Sequence, residues 1–299
     1  MKYALICPVC SEDLMSDSGT QTKNQSVTCQ QHHLFDFAKQ GYLNLLLSQH
    51  KKSKHPGDTL DMVQARTHFL SSGFYDGINQ FLQEECLKHI SHSTTQVKNN
   101  NEAEFNYCDL ACGEGFYTDK LHQAFSTSPQ LTEQFKSFNS IGLDISTPAI
   151  KAACKKTKDI QWLVASLARI PISNHSQNLV TGLFFHFDLQ EIKRILKPGG
   201  IFVMATTGAE HLIELRKELY DTLKDETTKD FSTVQGEINH LEKLSFRDYK
   251  TLNSASEIVS LLKMTPHYWR CTQEKKQHIE SLMTLNITID IQFDIFIRT

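Results

Sequence analysis

Asp109-Leu110-Ala111-Cys112-Gly113-Glu114-Gly115 is the stretch from which the fold can be read. It ends an apolar, strand-like run that starts at Phe105 and precedes a helix-like run that starts at Phe116. A glycine-bearing turn at such a junction lets backbone approach a ligand closely, and the first helical turn presents free N–H groups. Alone, it fits nucleotide binders of many kinds. Two acids narrow the choice. Asp109 stands at the strand end before the glycines, where with its neighbours it can meet a cationic ligand. Asp144 ends the second strand in Gly142-Leu143-Asp144-Ile145-Ser146, where a carboxylate can accept both ribose hydroxyls. Dinucleotide enzymes share the second acid but keep three glycines in G-x-G-x-x-G. In this chain Ala111 takes the first glycine position and Thr118 the third. The pattern favours S-adenosylmethionine over a nicotinamide dinucleotide, a ligand-free turn being the plain alternative.

Outward from this turn, strand and helix patterns alternate, as in a parallel sheet flanked by helices. Strands are expected near 105–110, 139–144, 160–164, 178–185 and 200–206, and helices near 116–126, 148–157, 188–196 and 208–224. Val164-Ala165-Ser166 follows the third strand and is expected beside an adenine. The fourth strand ends at Phe184-Phe185-His186, where domains of this build usually place groups that touch substrate. The tail from Asn286 to Ile297 alternates polar and apolar residues and predicts a long strand at the sheet edge. Upstream, Met62, Ala65, Phe69 and Leu70 fall on one helix face, and after Gly73 a second helix runs to about Ile90. Segment 91–104 reads as a solvated loop.

Cys7-Pro8-Val9-Cys10 is separated by 18 residues from Cys29, and His32 and His33 follow. Two close pairs on tight turns can supply the four convergent ligands of a tetrahedral zinc ion. His33 is preferred as the fourth ligand, with His32 the alternative. Four protein ligands leave no open position, so the Zn²⁺ is structural. The expected fold is α/β: a class I S-adenosylmethionine methyltransferase (Rossmann-like) domain with a small N-terminal zinc-binding ribbon. Its parts are a zinc module over 1–36, a linker and helical connector over 37–104, and the Rossmann-like domain over 105–299.

The 299 residues suffice for one large α/β domain with an appendage. No apolar run approaches the roughly 18 residues needed to span a bilayer, and the first residues are too short for a signal-peptide core. A cytoplasmic protein without membrane contact is expected. The eight cysteines include three among the first 29 residues, which suits metal rather than disulfides. A net charge of −3 leaves any nucleic-acid contact to local patches. The best of these is His50-Lys51-Lys52-Ser53-Lys54-His55, with Lys51, Lys52 and Lys54 as candidate phosphate contacts.

Over nearly its whole length the chain resembles the bacterial 23S rRNA (guanine-N1)-methyltransferases of the RlmA type. The resemblance is carried by Cys29 with His33-Leu34-Phe35-Asp36, Ala38-Lys39-Gln40-Gly41-Tyr42-Leu43-Asn44, Pro56-Gly57-Asp58 and Met62-Val63-Gln64-Ala65-Arg66. It continues through Gly73-x-Tyr75, Cys112-Gly113-Glu114-Gly115-Phe116-Tyr117-Thr118, Lys197-Pro198-Gly199-Gly200, His211-Leu212 and Met264-Thr265-Pro266-x-x-Trp269-Arg270. It implies methylation of guanine N1 in a hairpin loop of 23S ribosomal RNA, zinc and S-adenosylmethionine as cofactors, and a homodimer. It also implies a cofactor set of Asp109, Ala111, Gly113, Gly115, Tyr117, Thr118, Asp144, Ile145, Ala165, Ser166 and His211. On the substrate side, the end of the fourth strand offers Phe184 and Phe185 to stack on a base. His186 there can touch the base edge or take its proton, with a backbone carbonyl the alternative. The chain departs from the family at Ala111 (commonly Gly), Asn178 (Asp), Phe184-Phe185-His186 (Tyr-Ala-Pro) and Glu210 (a basic residue). The last three bear on base specificity.

Overall fold

In the computed structural model, the described residues are 4–16, 26–51, 53, 56–94, 104–185, 187–223 and 230–299. The N-terminal unit is a three-stranded antiparallel ribbon of β1 (Met15–Ser16), β2 (Ser26–Thr28) and β3 (Leu34–Asp36). Strands this short bury little, and the ribbon's interior holds Leu14, Val27 and the Cys7 and Cys29 thiols. β4 (Leu43–Asn44) then joins the main sheet. α1 (Leu60–Ser71) begins where the Thr59 hydroxyl accepts the Met62 N–H. α2 (Asp76–Thr94) follows a turn in which Gly73 takes φ +81. Segment 91–104, expected as a loop, therefore continues the helix through Thr94, and residues 95–103 lie outside the described ones.

The remaining elements are β5 (Glu104–Leu110), α3 (Phe116–Thr127), α4 (Pro129–Thr132), β6 (Ser137–Asp144), α5 (Thr147–Lys156), β7 (Gln161–Val164), β8 (Gln177–Leu183), α6 (Leu189–Ile195) and β9 (Leu196–Thr207). After them come α7 (Ile213–Leu219), β10 (Ile238–Leu252), α8 (Ala255–Met264), α9 (His267–Arg270), α10 (Gln273–Ser281) and β11 (Leu285–Arg298). The main sheet has the order β10-β11-β9-β8-β5-β6-β7-β4. β4 to β9 pair in parallel, while β11 is antiparallel to both neighbours. Strand order reverses at β5, with β6 on one side and β8 on the other. Such a reversal opens a crevice beyond the carboxyl ends of the strands.

The tail strand is not at the edge as expected. β11 lies between β9 and β10, and its Ile287, Ile289, Ile291, Phe293 and Ile295 are all buried. β10 takes the edge: most of its residues alternate between exposed and half-buried, as a strand with one solvated side should.

Trp162 explains two glycines. Its indole is buried beneath the ligand turn, and a Cβ at Gly115 would lie 2.5 Å from Trp162 Cη2. At Gly142 the Cβ would lie 2.2 Å from Cζ3. These residues are small because an aromatic ring occupies the space, a packing reason that adds to any ligand-approach reason. The ribbon docks on the segment after β7. Leu5 bridges Ile172, the Ile6 N–H donates to the Pro171 carbonyl at 3.2 Å, and Arg169 Nη1 reaches the Pro8 carbonyl at 3.3 Å. Among the described residues, no helix is long and apolar enough to cross a membrane.

Candidate active site and metal centre

A cavity of about 620 Å³ opens at the switch point. Asp109, Ala111, Gly113, Tyr117, Asp144, Ile145, Ser166, Phe184 and Phe185, all expected site residues, line it. Thr118, Gly115 and Ala165 stand behind that lining. Thr118 is fully buried, and its hydroxyl donates to Asp109 Oδ2 at 2.6 Å. The Thr181 hydroxyl, opposite Asp109 in the β5–β8 register, donates to Oδ1 at 2.8 Å. Burial pushes the Asp109 carboxyl up to about 6, and the two hydroxyls pull against that rise. Asp144 accepts the Gly113 N–H at 2.9 Å and the Ser146 N–H at 2.7 Å, which orient the carboxylate and leave lone pairs free for a diol. Burial raises its pKa as well. Ala111 adopts φ +54 and Gly113 φ +56, the left-handed turn that brings backbone to the cavity wall.

His211 lies outside the cavity lining. Its Nδ1 accepts the Asp290 N–H at 3.3 Å, so the proton belongs on Nε2, which faces the Tyr75 hydroxyl at 3.4 Å. Burial holds the imidazole neutral down to about pH 4. At the cavity mouth Phe184 and Phe185 are 42% and 45% exposed. Phe184 takes φ +60, a conformation unfavourable for a bulky residue, and is held by its N–H bond to the Ala205 carbonyl at 2.8 Å. His186, Lys52 and Lys54 lie outside the described residues, and Lys51 is exposed.

Residues of the connector also line the cavity, a contribution the sequence reading missed: Pro56, Gly57, Asp58, Arg66 and Leu70. Gly57, at φ +80, packs so closely on Ser146 that a Cβ there would lie 2.8 Å from the serine Cβ. The Ser146 hydroxyl donates to the Asp58 carbonyl at 2.7 Å, and Arg66 pairs with the Asp58 carboxylate. The motifs were visible in the sequence. Their apposition across about 88 residues was not.

The Cys7, Cys10, Cys29 and His33 ligand atoms all lie within 4.8 Å of one another. Cys10 Sγ to Cys29 Sγ is 3.6 Å, and His33 Nδ1 is 3.3 Å from Cys29 Sγ and 3.7 Å from Cys7 Sγ. A tetrahedral ion with Zn–S near 2.3 Å has ligand–ligand edges of roughly 3.6–3.8 Å. The donor set fits zinc. His32 is exposed and turned at φ +61, so His33 is the histidine that joins the cysteines. A second cluster, Glu85, His89 and Glu242, already holds a cation: Lys88 Nζ lies 2.9 Å from Glu85 and 3.3 Å from Glu242. It is an ion-pair network between α2 and β10.

Residues 5–54 match the family model described as RlmA, N-terminal, and residues 108–204 match a methyltransferase domain. The chain joins an RlmA-type N-terminal ribbon to a methyltransferase domain. It is 29% identical over 290 residues to a Bacillus subtilis protein named as a 23S rRNA (guanine-N(1)-)-methyltransferase, covering 95% of this chain and 94% of that one. It is 29% identical over 212 residues to the 23S rRNA (guanine(748)-N(1))-methyltransferase of Streptomyces fradiae, covering 71% and 66%. Among solved structures, the YcgJ protein of Bacillus subtilis aligns at a TM-score of 0.41 and 15% identity, covering 69% of this chain and 98% of its own. The chain is an S-adenosylmethionine-dependent enzyme with a structural zinc ribbon.

Proposed function

We propose that this enzyme methylates N1 of a guanine in a hairpin loop of 23S ribosomal RNA. The observation that carries the reading is the joining of a Cys3His ribbon to the wall of a cofactor cavity whose mouth exposes two phenylalanines. S-adenosylmethionine supplies an electrophilic methyl group when bound. The protein's task is to bring an unpaired base to it, align N1, and exclude water. Asp144 holds the ribose hydroxyls, Asp109 supports the cationic end through its neighbours, and the turn at Ala111 and Gly113 gives close backbone approach. Ile145, Ala165 and Ser166 border the adenine, while Gly115 and Thr118 shape the turn from behind. Tyr117 lines the cavity, and His211 supports the site from outside that lining.

Phe184 and Phe185 stack on the extruded guanine, where every base offers a π-face. Guanine N1 carries a proton at neutral pH, and His186 touches that edge or takes the proton. Lys51, Lys52 and Lys54 meet backbone phosphates, in a linker between a ribbon over 1–36 and the body that follows residue 104. The enzyme works in the cytoplasm, in keeping with an RNA substrate, and acts as a homodimer.

Primer extension on unmodified large-subunit RNA tests the reading directly. N1 methylation blocks Watson–Crick pairing, so a stop one nucleotide before a loop guanine is expected only with S-adenosylmethionine and protein together. Absence of any cofactor-dependent stop, with zinc and cofactor bound, would remove the guanine-N1 assignment.

A further inference from the structure

The cavity's charges are lopsided. Among the described residues that line it, Asp58, Asp109, Glu114, Asp144 and Asp188 are acids, and Arg66 is the one cation. S-adenosylmethionine carries a sulfonium and an ammonium, which suit an acidic cavity, and a single anionic group, its α-carboxylate. We propose that Arg66 takes this carboxylate and fixes the amino-acid end of the cofactor.

The inference rests on the cofactor reading above and on three observations. First, the guanidinium stands over the ligand turn: its Nη1 lies 3.5 Å from the point where a side chain at Gly113 would begin. Second, it is held in place from two sides, by the Asp58 carboxylate and by the Met264 carbonyl, which accepts from Nη2 at 3.2 Å. Five N–H donors in a rigid fork leave others for a third partner, and the side chain remains 27% exposed toward the opening. Third, the Tyr117 hydroxyl is buried with no hydrogen-bond partner among the described residues and lies within the field of the same guanidinium. A carboxylate between Arg66 and Tyr117 would satisfy that hydroxyl and balance the one cation. The arrangement also gives the connector a purpose in binding. α1 reaches over the Rossmann-like core to supply the charge that the glycine turn lacks.

The test compares two ligands on the full-length, zinc-loaded chain by titration calorimetry. S-adenosylhomocysteine carries the carboxylate; 5′-methylthioadenosine keeps the adenosine and thioether but has no amino-acid end. Arg66→Gln is expected to weaken S-adenosylhomocysteine about 10- to 100-fold while leaving methylthioadenosine within about twofold. Arg66→Lys, which keeps the charge but not the fork, should recover part of the loss. Equal weakening of both ligands by Arg66→Lys and Arg66→Gln would make Arg66 a strut of the pocket and overturn the inference. Unchanged affinity for both ligands with weaker RNA binding would assign the guanidinium to a substrate phosphate, again overturning it. Failure of the unaltered protein to bind S-adenosylhomocysteine would instead sink the cofactor reading underneath.

Discussion

Asp109 is a buried acid whose two oxygens are met by Thr118 and Thr181 and whose pKa burial lifts to about 6. Between its ordinary value near 3.8 and about 6, the folded chain holds a proton that the unfolded chain has released. The stability contributed by this group is therefore greatest below that window and declines as pH rises through it. A cationic ligand has the opposite preference, for the ionised form. Affinity for S-adenosylhomocysteine should rise as pH increases through about 6, and in Asp109→Asn the rise should flatten; calorimetry across pH 5–8 reads both. His211 does not confuse that window, being neutral down to about 4. Phe184 makes a different residue-scale case. Its left-handed backbone stores about 1–3 kcal/mol, which a packing role for a half-exposed ring does not justify. Phe184→Gly should leave stability within about 1 kcal/mol, since relief of strain offsets the lost contact, while RNA methylation falls at least about tenfold. A loss of about 3–5 kcal/mol in thermal unfolding would mark the ring as core instead.

At the scale of elements, the ribbon and the cofactor cavity share a segment. Ser166, Leu167 and Ala168 line the cavity, and the next residue, Arg169, grips the Pro8 carbonyl and the Ser11 hydroxyl of the metal knuckle. With strands of two or three residues, the ribbon depends on its ion for most of its folding energy. Chelating the zinc should expose the first 40 or so residues to protease and weaken S-adenosylhomocysteine about fivefold or more; Arg169→Ala should give part of that coupling with zinc retained. This junction also marks the limit of what the sequence discloses. β5 to β9 were legible because buried parallel strands are apolar runs with helices between them, and the Cys–His pairs were legible because ligand spacing is local. β10 was not, because Ile238–Leu252 is mostly polar and meets water on one side. β4 was not, because two residues carry no period. Arg66 and Asp58 could not be recognised as site residues for a third reason: their value depends on which distant wall their segment touches.

On the scale of the whole molecule, a net charge of −3 means that RNA affinity must come from restricted patches. The fold's largest commitment is the position of β11, made after every other strand of the sheet and inserted between two of them. Ending the chain at Thr284 should strip the partner from both β9 and β10 and give aggregated protein on expression, whereas trimming Thr299 alone should leave it dispersed, as light scattering would show. The same topology sets a clock during translation. Roughly 90 residues separate the end of β9 from the end of β11. At about 5–20 residues per second, the nascent chain carries an open, apolar β9 edge for about 5–20 s before its complement emerges from the ribosome. During that interval a chaperone or a slow codon can decide how many chains close the sheet and how many pair with a neighbour's.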